Sequence, residues 1–432
     1  MKWLKRIGKG IIVLVVVLIA AHTIATVVLG YMVKMKIAAI KAKGEPVSFA
    51  DLNREKIPDS ENAAVIYMRV IKAYREPAVS DRWFRPFSKE WRKQGAATPN
   101  LWREVGQALE SQQGIIDQIE AAASRPKCRY PISLDANGLP IFSHYARMKH
   151  LEQLLSVNAS YNAANGDMDE AVRSIELGFK LSESLKDDPL IIGFLVRISL
   201  IRIVSASIKK SLEYGDISES QAKYLFDLLA DIDLHSDYEN VIVGERVVGI
   251  EGYERIRRKG YSGIIADIPK DRYVISDRLL KYRLLGPYAG RPFSYAQELD
   301  YLKEMSDQIE IASLPSREAM NKKSKPTFDR ARGSHISCAT RIAGSQILLA
   351  LAAYKDRYGS YPETLAELKS KLGWKLPEDP FSGKDFLYKR QGNGYLLYSV
   401  GLNLKDDGGS EEYIQINKND REQADIIWRT ER

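Results

Sequence analysis

Asp231, Asp233 and His235 bring two carboxylates and an imidazole into one short segment of the chain. In an extended segment alternate side chains point to the same side, so these three groups could together bind a metal ion. The segment directly follows a predicted helix that ends at Ala230, and the same residues suit an acidic helix terminus or loop. The sequence therefore favours a structural role for this group over a metal site.

The other histidines indicate no recognisable reaction. His144 and His150 are six residues apart, a spacing that does not place two side chains on one face of a helix. Ser334 and His335 lack the context of a nucleophile elbow, and the chain has neither a phosphate-binding loop nor a glycine-rich dinucleotide fingerprint. We therefore predict no catalytic and no cofactor-binding residue, while a catalysed reaction stays an open alternative.

Two cysteines, Cys128 and Cys338, lie far apart in the sequence and form no metal-ligand pattern. Two separate, partly buried thiols are the favoured interpretation. A single long-range disulfide in an oxidising compartment is the alternative, and the sequence does not decide between them.

The first element that must position these residues is an apolar segment near the N-terminus. Residues 10–33 contain no charged side chain, and as a helix they would span about 36 Å, more than the roughly 30 Å hydrocarbon core of a bilayer. Trp3 and Tyr31 lie near its two ends, where aromatic rings prefer the membrane interface. The run is longer than the apolar region of a cleaved signal peptide, so we predict an uncleaved transmembrane signal anchor after a cytoplasmic tail at residues 1–9.

Charge is distributed unevenly along the chain. Residues 1–43 contain eight basic and no acidic side chains, which accounts for the whole formal net charge of +8, and the rest of the chain is balanced. The basic character therefore indicates a membrane flank rather than nucleic-acid binding. The local basic runs Arg255–Lys259 and Lys322–Lys325 are predicted to be solvated. The short N-terminal tail favours an inside N-terminus, with the bulk of the chain outside a bacterial inner membrane.

Residues 44–320 are predicted to form a helical domain, because helical periodicity dominates and strand alternation is scarce. From Ala146 the pattern predicts successive helices separated by short turns. Two of these turns, at Gly166-Asp167 and Gly215-Asp216, repeat a Gly-Asp pair between helices. The pattern resembles tetratricopeptide hairpins, although the spacing of 49 residues departs from their usual period of about 34. We expect an α-helical hairpin or solenoid-like domain, an architecture that generally presents a concave surface to partners.

Residues 335–432 are predicted to form a small α+β domain. Gly359 and Pro362 end a helix, because glycine can adopt a left-handed C-cap and proline cannot continue the helical hydrogen bonds. Two short aromatic strands, Phe386–Lys389 and Tyr395–Val400, flank a glycine-containing turn. The fold class expected for the chain is therefore mainly α, with a transmembrane helix, a helical domain and this C-terminal α+β domain.

The order of motifs in this region resembles the C-terminal half of the major pseudopilin of type II secretion systems. The segments that carry the resemblance are Tyr354–Leu365, Pro377–Gly383, Phe386–Tyr388, Gly394–Gly401, Asp406–Gly409 and Ala424–Trp428. They cover under a quarter of the chain. The sequence departs from pseudopilins in two ways. If Gly10 is taken as the residue before the mature N-terminus, the fifth mature residue is Val15, where pseudopilins carry Glu. The pseudopilin-like region also lies far from the apolar segment. The whole arrangement also resembles planctomycete-type membrane proteins, a similarity that implies no activity.

The pseudopilin resemblance implies a calcium site in the loop before the last strand. The residues that match its ligand positions are Asn403, Asp406, Asp407 and Asp425. Calcium binds six to eight oxygen atoms, which carboxylates and backbone carbonyls of a folded loop can supply. Lys405 adds a competing positive charge, so weak affinity is expected. The alternative is an acidic, solvated loop in which Asp-Gly-Gly only forms the turn.

Taken together, these patterns predict a membrane-anchored interaction or scaffold protein of the cell envelope, whose partners are the membrane and other envelope proteins. A transport component related to type II secretion is the first alternative. An envelope hydrolase is the second.

Overall fold

The computed structural model describes residues 2–52, 57–74, 99–131, 144–266, 285–322, 325–410, 413–415, 421–423 and 425–430. The protein is mainly helical and carries a small antiparallel sheet near its C-terminal end, as the sequence predicts. The helices are α1 Lys2–Ala42, α2 Phe49–Leu52, α3 Ala63–Ala73, α4 Pro99–Ala123, α5 Tyr145–Ala164, α6 Met168–Glu183, α7 Ile191–Tyr214, α8 Glu219–Ala230, α9 Leu234–Ala266, α10 Arg291–Ala312, α11 Ser316–Met320, α12 Pro326–Tyr358 and α13 Leu365–Leu372. The strands are β1 Leu387–Gln391, β2 Gly394–Ser399, β3 Tyr413–Gln415, β4 Arg421–Gln423 and β5 Ile426–Arg429.

Helix α1 contains the predicted apolar segment and continues well beyond it. Its 41 residues correspond to about 62 Å. The helix ends at Ala42, and Gly44 follows with a left-handed φ of 77° and an N–H that donates to the carbonyl of Lys41 at 2.9 Å. The residues from Gly10 to Ala21 are exposed around the whole helix.

Among the described residues, three helices are long and apolar enough to cross a membrane by length and composition: Arg6–Ala42, Ile191–Tyr214 and Pro326–Tyr358. They differ in their surroundings. None of the most apolar window of the first helix is buried, whereas 61% of the window in the second and 83% in the third is buried inside the protein. The apolar residues of α7 and α12 therefore serve mainly as protein core.

Helices α5 to α8 begin and end close to the predicted positions. Gly166 is left-handed with φ 82°, and the carboxylate of Asp167 caps α6 by accepting the N–H of Glu170 at 3.0 Å. Gly215 has an extended backbone instead, and a Cβ on it would lie 3.1 Å from the carbonyl oxygen of Ala163. The two Gly-Asp turns therefore pack side by side. Gly166 is needed for its left-handed backbone, and Gly215 is needed because the neighbouring turn leaves little room for a side chain.

The hydrophobic core joins the helical region to the C-terminal region. Ile201 of α7, Ile347 of α12 and Trp428 of β5 belong to one continuous cluster of buried side chains. A second cluster is formed by α3, α4 and the faces of α5 and α6 that point away from the sheet; Tyr67 and Leu154 lie within it. Helix α12 thus packs on α7 and α8 on one side and on strands β2 and β5 on the other.

The C-terminal sheet has the order β1-β2-β5 with antiparallel neighbours. Leu397 in the central strand pairs with Tyr388 and Trp428. The predicted left-handed helix end at Gly359 is confirmed by its φ of 76°, and the strands of the predicted hairpin are confirmed within two residues. Gly344 of α12 lets the sheet approach closely, because a Cβ there would lie 2.2 Å from the ring of Trp428.

One prediction about charge is wrong in part. Arg255 is only 7% exposed and Arg257 is half-buried, so the run Arg255–Lys259 is solvated only at Arg258 and Lys259. Arg257 forms an ion pair with the fully buried Glu298 and lies 4.7 Å from the ring centre of Tyr295. Arg257 of α9 is therefore held between the two packed helices by residues of α10. In the second run, Lys325 pairs with Glu304, and residues 323–324 lie outside the described part of the chain.

Candidate functional site

The structure places Asp233 at the start of α9 as a helix cap. Its carboxylate accepts the N–H groups of His235 and Ser236, both at 3.1 Å, and the hydroxyl of Ser236 at 2.7 Å. These bonds, first that from the Ser236 hydroxyl, lower the pKa of Asp233. Asp231 ends α8, and the Nε2 atom of His235 lies 3.4 Å from the carboxylate of Glu239 one turn later. Asp233 and His235 therefore have separate partners, and Asp231 is the C-cap residue of α8, which suits the favoured structural role.

His335 is brought into contact with this segment across the fold. Its ring stacks on Tyr238 at a centroid distance of 4.9 Å and lies 6.3 Å from the ring of His235. Burial, which disfavours the charged imidazolium, lowers the pKa of His335 to about 3. His335 is therefore a neutral core side chain. Sequence reasoning treated the two histidines separately because nothing local links positions 100 residues apart.

A cavity of about 650 Å³ lies where the segment after α1 meets the α6–α7 turn and the start of α9. This volume falls in the range of small-molecule sites. Carboxylates outnumber basic groups among the described residues of its wall. The charged and titratable lining residues are Lys41, Glu45, Asp51, Cys128, Arg129, Tyr130, His144, Tyr145, Lys186, Asp187, Asp188, Asp233 and Asp237.

Asp188 is fixed at the α7 end of the cavity. Its carboxylate accepts the hydroxyl of Tyr145 and the N–H of Leu190, the latter at 3.0 Å. Gly193 makes room for it, since a Cβ there would lie 2.4 Å from the carboxyl carbon. Burial is the main cause of the raised pKa of Asp188. The group is therefore a preorganised hydrogen-bonding partner inside the cavity.

His144 supplies the most informative polar atom of the cavity wall. The residue is 8% exposed, and its ring stacks on Tyr130 at 4.9 Å and 18°. Its Nε2 atom is buried and has no hydrogen-bond partner among the described residues. Burial lowers the pKa of His144, so the ring is neutral at physiological pH. Leaving such a group unmatched is costly, and a ligand in the cavity could supply its partner.

The segment after α1 is held in place at the mouth of the cavity. Glu45 accepts a hydrogen bond from the guanidinium of Arg246 at 2.6 Å, and the side chain of Arg246 is only 3% exposed. The N–H of Phe49 donates to Glu251 at 3.2 Å. The C-terminal end of α1 is thereby fastened to α9, and the cavity lies at this junction.

The cysteines are both free. Cys128 is half-buried and lines the cavity, whereas Cys338 is fully buried in α12. Burial raises the pKa of each thiol to about 12, so both are protonated and unreactive at neutral pH. The prediction of two separate thiols is confirmed.

The C-terminal acidic loop gathers the residues expected to bind calcium, but their oxygens take part in local hydrogen bonds. Asn403 donates to Asp407 at 2.7 Å. Asp406 accepts the hydroxyl of Tyr398 and the N–H of Gly408, both at 3.0 Å. In the part of the chain that the structure describes, no group of three or more His, Cys, Asp or Glu side chains is arranged to hold a metal.

Asp425 organises the same loop from the last strand. One carboxylate oxygen accepts the N–H groups of Gly409 at 2.9 Å and Ser410 at 3.1 Å. The other oxygen is buried without a hydrogen-bond partner among the described residues, and desolvation raises the pKa of Asp425. The structure thus shows a loop closed by a carboxylate, and calcium binding there stays a prediction.

Searches against protein-family models, curated proteins and solved structures find no match to this chain. The interpretation of the apolar helix, the cavity and the acidic loop therefore depends on their own chemistry.

Proposed function

We propose that this protein is a single-pass membrane-anchored interaction or scaffold protein of a bacterial cell envelope. The observation that carries the proposal is the exposure of α1 from Gly10 to Ala21 on every side. Exposed apolar surface costs about 25 cal/mol per Å² in water, and a lipid environment removes that cost. The apolar helices α7 and α12 are covered mainly by protein and do not require lipid.

We define the body as the part of the chain that follows α1. The proposed orientation puts the N-terminus inside and the body on the periplasmic side of the inner membrane. Four basic residues precede the apolar run and four follow it, so the charge count is balanced, and the orientation is supported by the very short N-terminal tail and by the resemblance of the C-terminal region to an exported domain. The body is electrically balanced, which suits a large domain that crosses the membrane during export.

An acidic groove supports the interaction role of the body. It lies between α4 and α5 and continues to the start of α6. Its carboxylates are Glu110, Asp117, Glu120 and Glu170. Only Arg173 supplies a cation among the described lining residues, and it pairs with Glu120. The groove is complementary to a basic segment of an envelope partner.

Binding of a small cationic molecule in the cavity is the second candidate function. The unmatched Nε2 of His144 and the excess of carboxylates in the wall favour it. Spermidine and putrescine are suitable probes. We expect them to raise the melting temperature of the full-length protein, and His144→Phe should reduce this shift, whereas His150→Phe should not.

The pseudopilin-like interpretation of the tail remains part of the proposal. It is supported by the succession of the long helix α12, the short helix α13 and an antiparallel sheet packed on α12. A role in type II secretion would predict loss of a specific exported protein on deletion. A hydrolase would predict an activity that is abolished by Asp233→Asn or His235→Ala.

Carbonate extraction of membranes tests the anchor. The full-length protein should stay in the membrane pellet, and the double variant Val15→Arg, Val17→Arg should be released. Protease added outside spheroplasts should digest the body and spare an N-terminal epitope tag. Release of the unchanged protein by carbonate would overturn the proposal.

Crosslinking in intact cells followed by purification tests the interaction role. Reversing the groove charges with Glu110→Lys and Asp117→Lys should remove specific crosslinked partners. Asp385→Lys, an exposed acid in the C-terminal region, is the matched control. If the same partners are crosslinked to the groove variant and to the Asp385→Lys control, the groove is not the interaction surface.

A further inference from the structure

The second half of α1 is not exposed on all sides. Its buried and half-buried residues recur at helical spacing and form one stripe: His22, Ala25, Thr26, Leu29, Gly30, Val33, Ile37 and Ile40. This stripe packs against α10. The opposite side of the same stretch exposes apolar groups: Ile24, Val27, Val28, Tyr31, Met32 and Met35.

Two contacts fix the register between α1 and the body. The Nε2 atom of His22 lies 3.1 Å from the carbonyl oxygen of Tyr288. Further along both helices, a Cβ on Gly30 would lie 3.2 Å from the ring of Tyr295. Because both contacts advance in the same direction, α10 runs parallel to α1. The segment from Tyr288 to Tyr295 therefore lies beside the stretch from His22 to Gly30.

The length of the exposed part of α1 is smaller than the thickness of a bilayer. Residues 10–21 span about 18 Å, whereas the hydrocarbon core is about 30 Å thick. Starting from Gly10, the first residue after Lys9, about 20 helical residues are needed, which carries the outer boundary to about Leu29. A tilt of about 20° would carry it further. Lys34 and Lys36, both exposed, are the first charges beyond that boundary.

The segment from Tyr288 to Tyr295 therefore lies at the level of the outer leaflet. We define the aromatic ledge as Pro287–Phe293, the segment that leads into α10. Tyr288 is 77% exposed and Phe293 is 48% exposed, although both side chains are large and aromatic. The guanidinium of Arg291 lies 5.2 Å from the ring centre of Tyr288. At this depth the aromatic rings meet acyl chains, and the long side chain of Arg291 can extend towards lipid phosphate at the surface of the leaflet.

The aromatic ledge is built into the body. The N–H of Tyr261 donates to the carbonyl of Leu285 at 3.1 Å, and the side chain of Tyr261 is fully buried. Gly260 permits this contact with its φ of 73°, since a Cβ there would lie 2.6 Å from the nitrogen of Pro287. The fold therefore holds the aromatic ledge beside α1.

We propose that the aromatic ledge inserts into the outer leaflet beside the middle of α1, from His22 to Gly30, and binds phospholipid there. The body is then attached to the bilayer at two adjacent places, and its orientation on the membrane is fixed. This inference depends on the proposed anchor function. It adds a lipid-binding surface that lies more than 250 residues after the anchor in the sequence.

Depth-dependent fluorescence quenching of the full-length protein in phosphatidylethanolamine–phosphatidylglycerol vesicles tests the proposal. Cys128→Ala removes the half-buried thiol, and the fully buried Cys338 remains. Single cysteines labelled with bimane replace Tyr288 or Phe293. Val13→Cys is the control within the membrane, and Tyr224→Cys, at an exposed tyrosine of α8, is the control on the body.

Labels at positions 288 and 293 should be quenched by lipids that carry a nitroxide at acyl carbon 5. They should also be several-fold less accessible to aqueous iodide than the label at position 224. If both labels behave like that at 224 while the label at 13 is quenched by lipid, the aromatic ledge lies in water and the inference is wrong. If the label at 13 also escapes lipid quenching, the anchor proposal itself fails.

Discussion

Arg197 of α7 and Asp237 of α9 form an ion pair that is almost completely buried, with 1% and 7% of their side chains exposed. Glu183 of α6 approaches the same guanidinium at 2.6 Å. One cation therefore joins three helices at the floor of the cavity.

Replacing Arg197 should strongly destabilise the protein. Arg197→Met leaves Asp237 buried without its cation, and we expect a loss of about 3–5 kcal/mol in the free energy of unfolding. Arg173→Met removes a solvent-exposed pair with Glu120 and should cost no more than about 1 kcal/mol. Urea unfolding of the detergent-solubilised protein, followed by tryptophan fluorescence, measures both. Equal losses would show that burial of the pair contributes nothing.

Glu152 should make the protein less stable as the pH rises. It is 1% exposed, one of its carboxylate oxygens has no partner among the described residues, and burial raises its pKa well above 4.5. The folded state therefore keeps the proton at a pH where the unfolded chain has lost it, so stability falls above about pH 4.5. Glu152→Gln should stabilise by about 1–3 kcal/mol at pH 7.5 and by little at pH 4.5.

The control for this change is Glu110→Gln on the exposed side of α4. It should alter the free energy of unfolding by about 0.5 kcal/mol or less at either pH. If the Glu152→Gln protein has the same pH profile as the unchanged protein, Glu152 does not titrate abnormally.

His335 should have the opposite pH dependence. Its pKa is lowered to about 3 in the folded state, so the unfolded chain binds the proton first as the pH falls. Its contribution is fully present above about pH 6.5 and is lost as the pH falls towards 3, by at most about 1.4 kcal/mol per pH unit. His335→Phe retains a ring against Tyr238 and should flatten the stability profile between pH 6.5 and 4. The half-buried control His150→Phe should leave the slope unchanged.

Gly344 should be essential for docking of the sheet on α12. Gly344→Ala forces the ring of Trp428 to move, and we expect a loss of about 1–3 kcal/mol. Gly114 of α4 has no atom within 4 Å of its Cβ position, so Gly114→Ala should instead stabilise by about 0.5–1 kcal/mol. Thermal unfolding of the two variants measures both changes in stability. If both variants are stabilised, or both are destabilised, the close approach of Trp428 to Gly344 would be contradicted.

Calcium at millimolar concentration should raise the melting temperature of the full-length protein if the acidic loop binds it. With a dissociation constant of about 0.1 mM, 1 mM calcium would add about 1.4 kcal/mol. Asp406→Asn and Asp407→Asn should reduce this gain. Asp425→Ala should also destabilise without calcium, because it removes the acceptor for the N–H groups of Gly409 and Ser410. A calcium response that is equal in all variants, or absent throughout, would identify the loop as a turn only.

Local signals predicted much of the secondary structure. The Gly-Asp turns and helical periodicity located α5 to α8, and Ser218 caps the start of α8 in a capping box with Gln221. Local rules leave a choice where two acceptors are available before a helix: both Asp59 and Asn62 suit the cap position of α3, and Asn62 is the cap, because it accepts the N–H of Ala64. Either residue satisfies the sequence preference, and only the final chain path selects one.

Contacts between distant positions could not be predicted in the same way. The cavity depends on His144, Asp188 and Asp237 meeting across three separate helices, and no spacing along the chain encodes that meeting. Arg255 was misjudged for the same reason, because its burial depends on α10. The acidic loop was easier to locate, since its members lie within 23 residues of one another.

Helix α1 is one continuous helix, so a change in its tilt at one end moves the other end. About 30 Å of helix separates Ala21, which the proposed anchor places near the middle of the bilayer, from Ala42 at the cavity, so a change of 10° in tilt would displace the far end by about 5 Å. Because α1 is clamped to α10 and to Arg246, the body must swing with it as one piece. Helix tilt adjusts to the thickness of the surrounding hydrocarbon layer. In the proposed membrane-anchored state, the height and tilt of the body above the lipid surface would therefore change with membrane thickness.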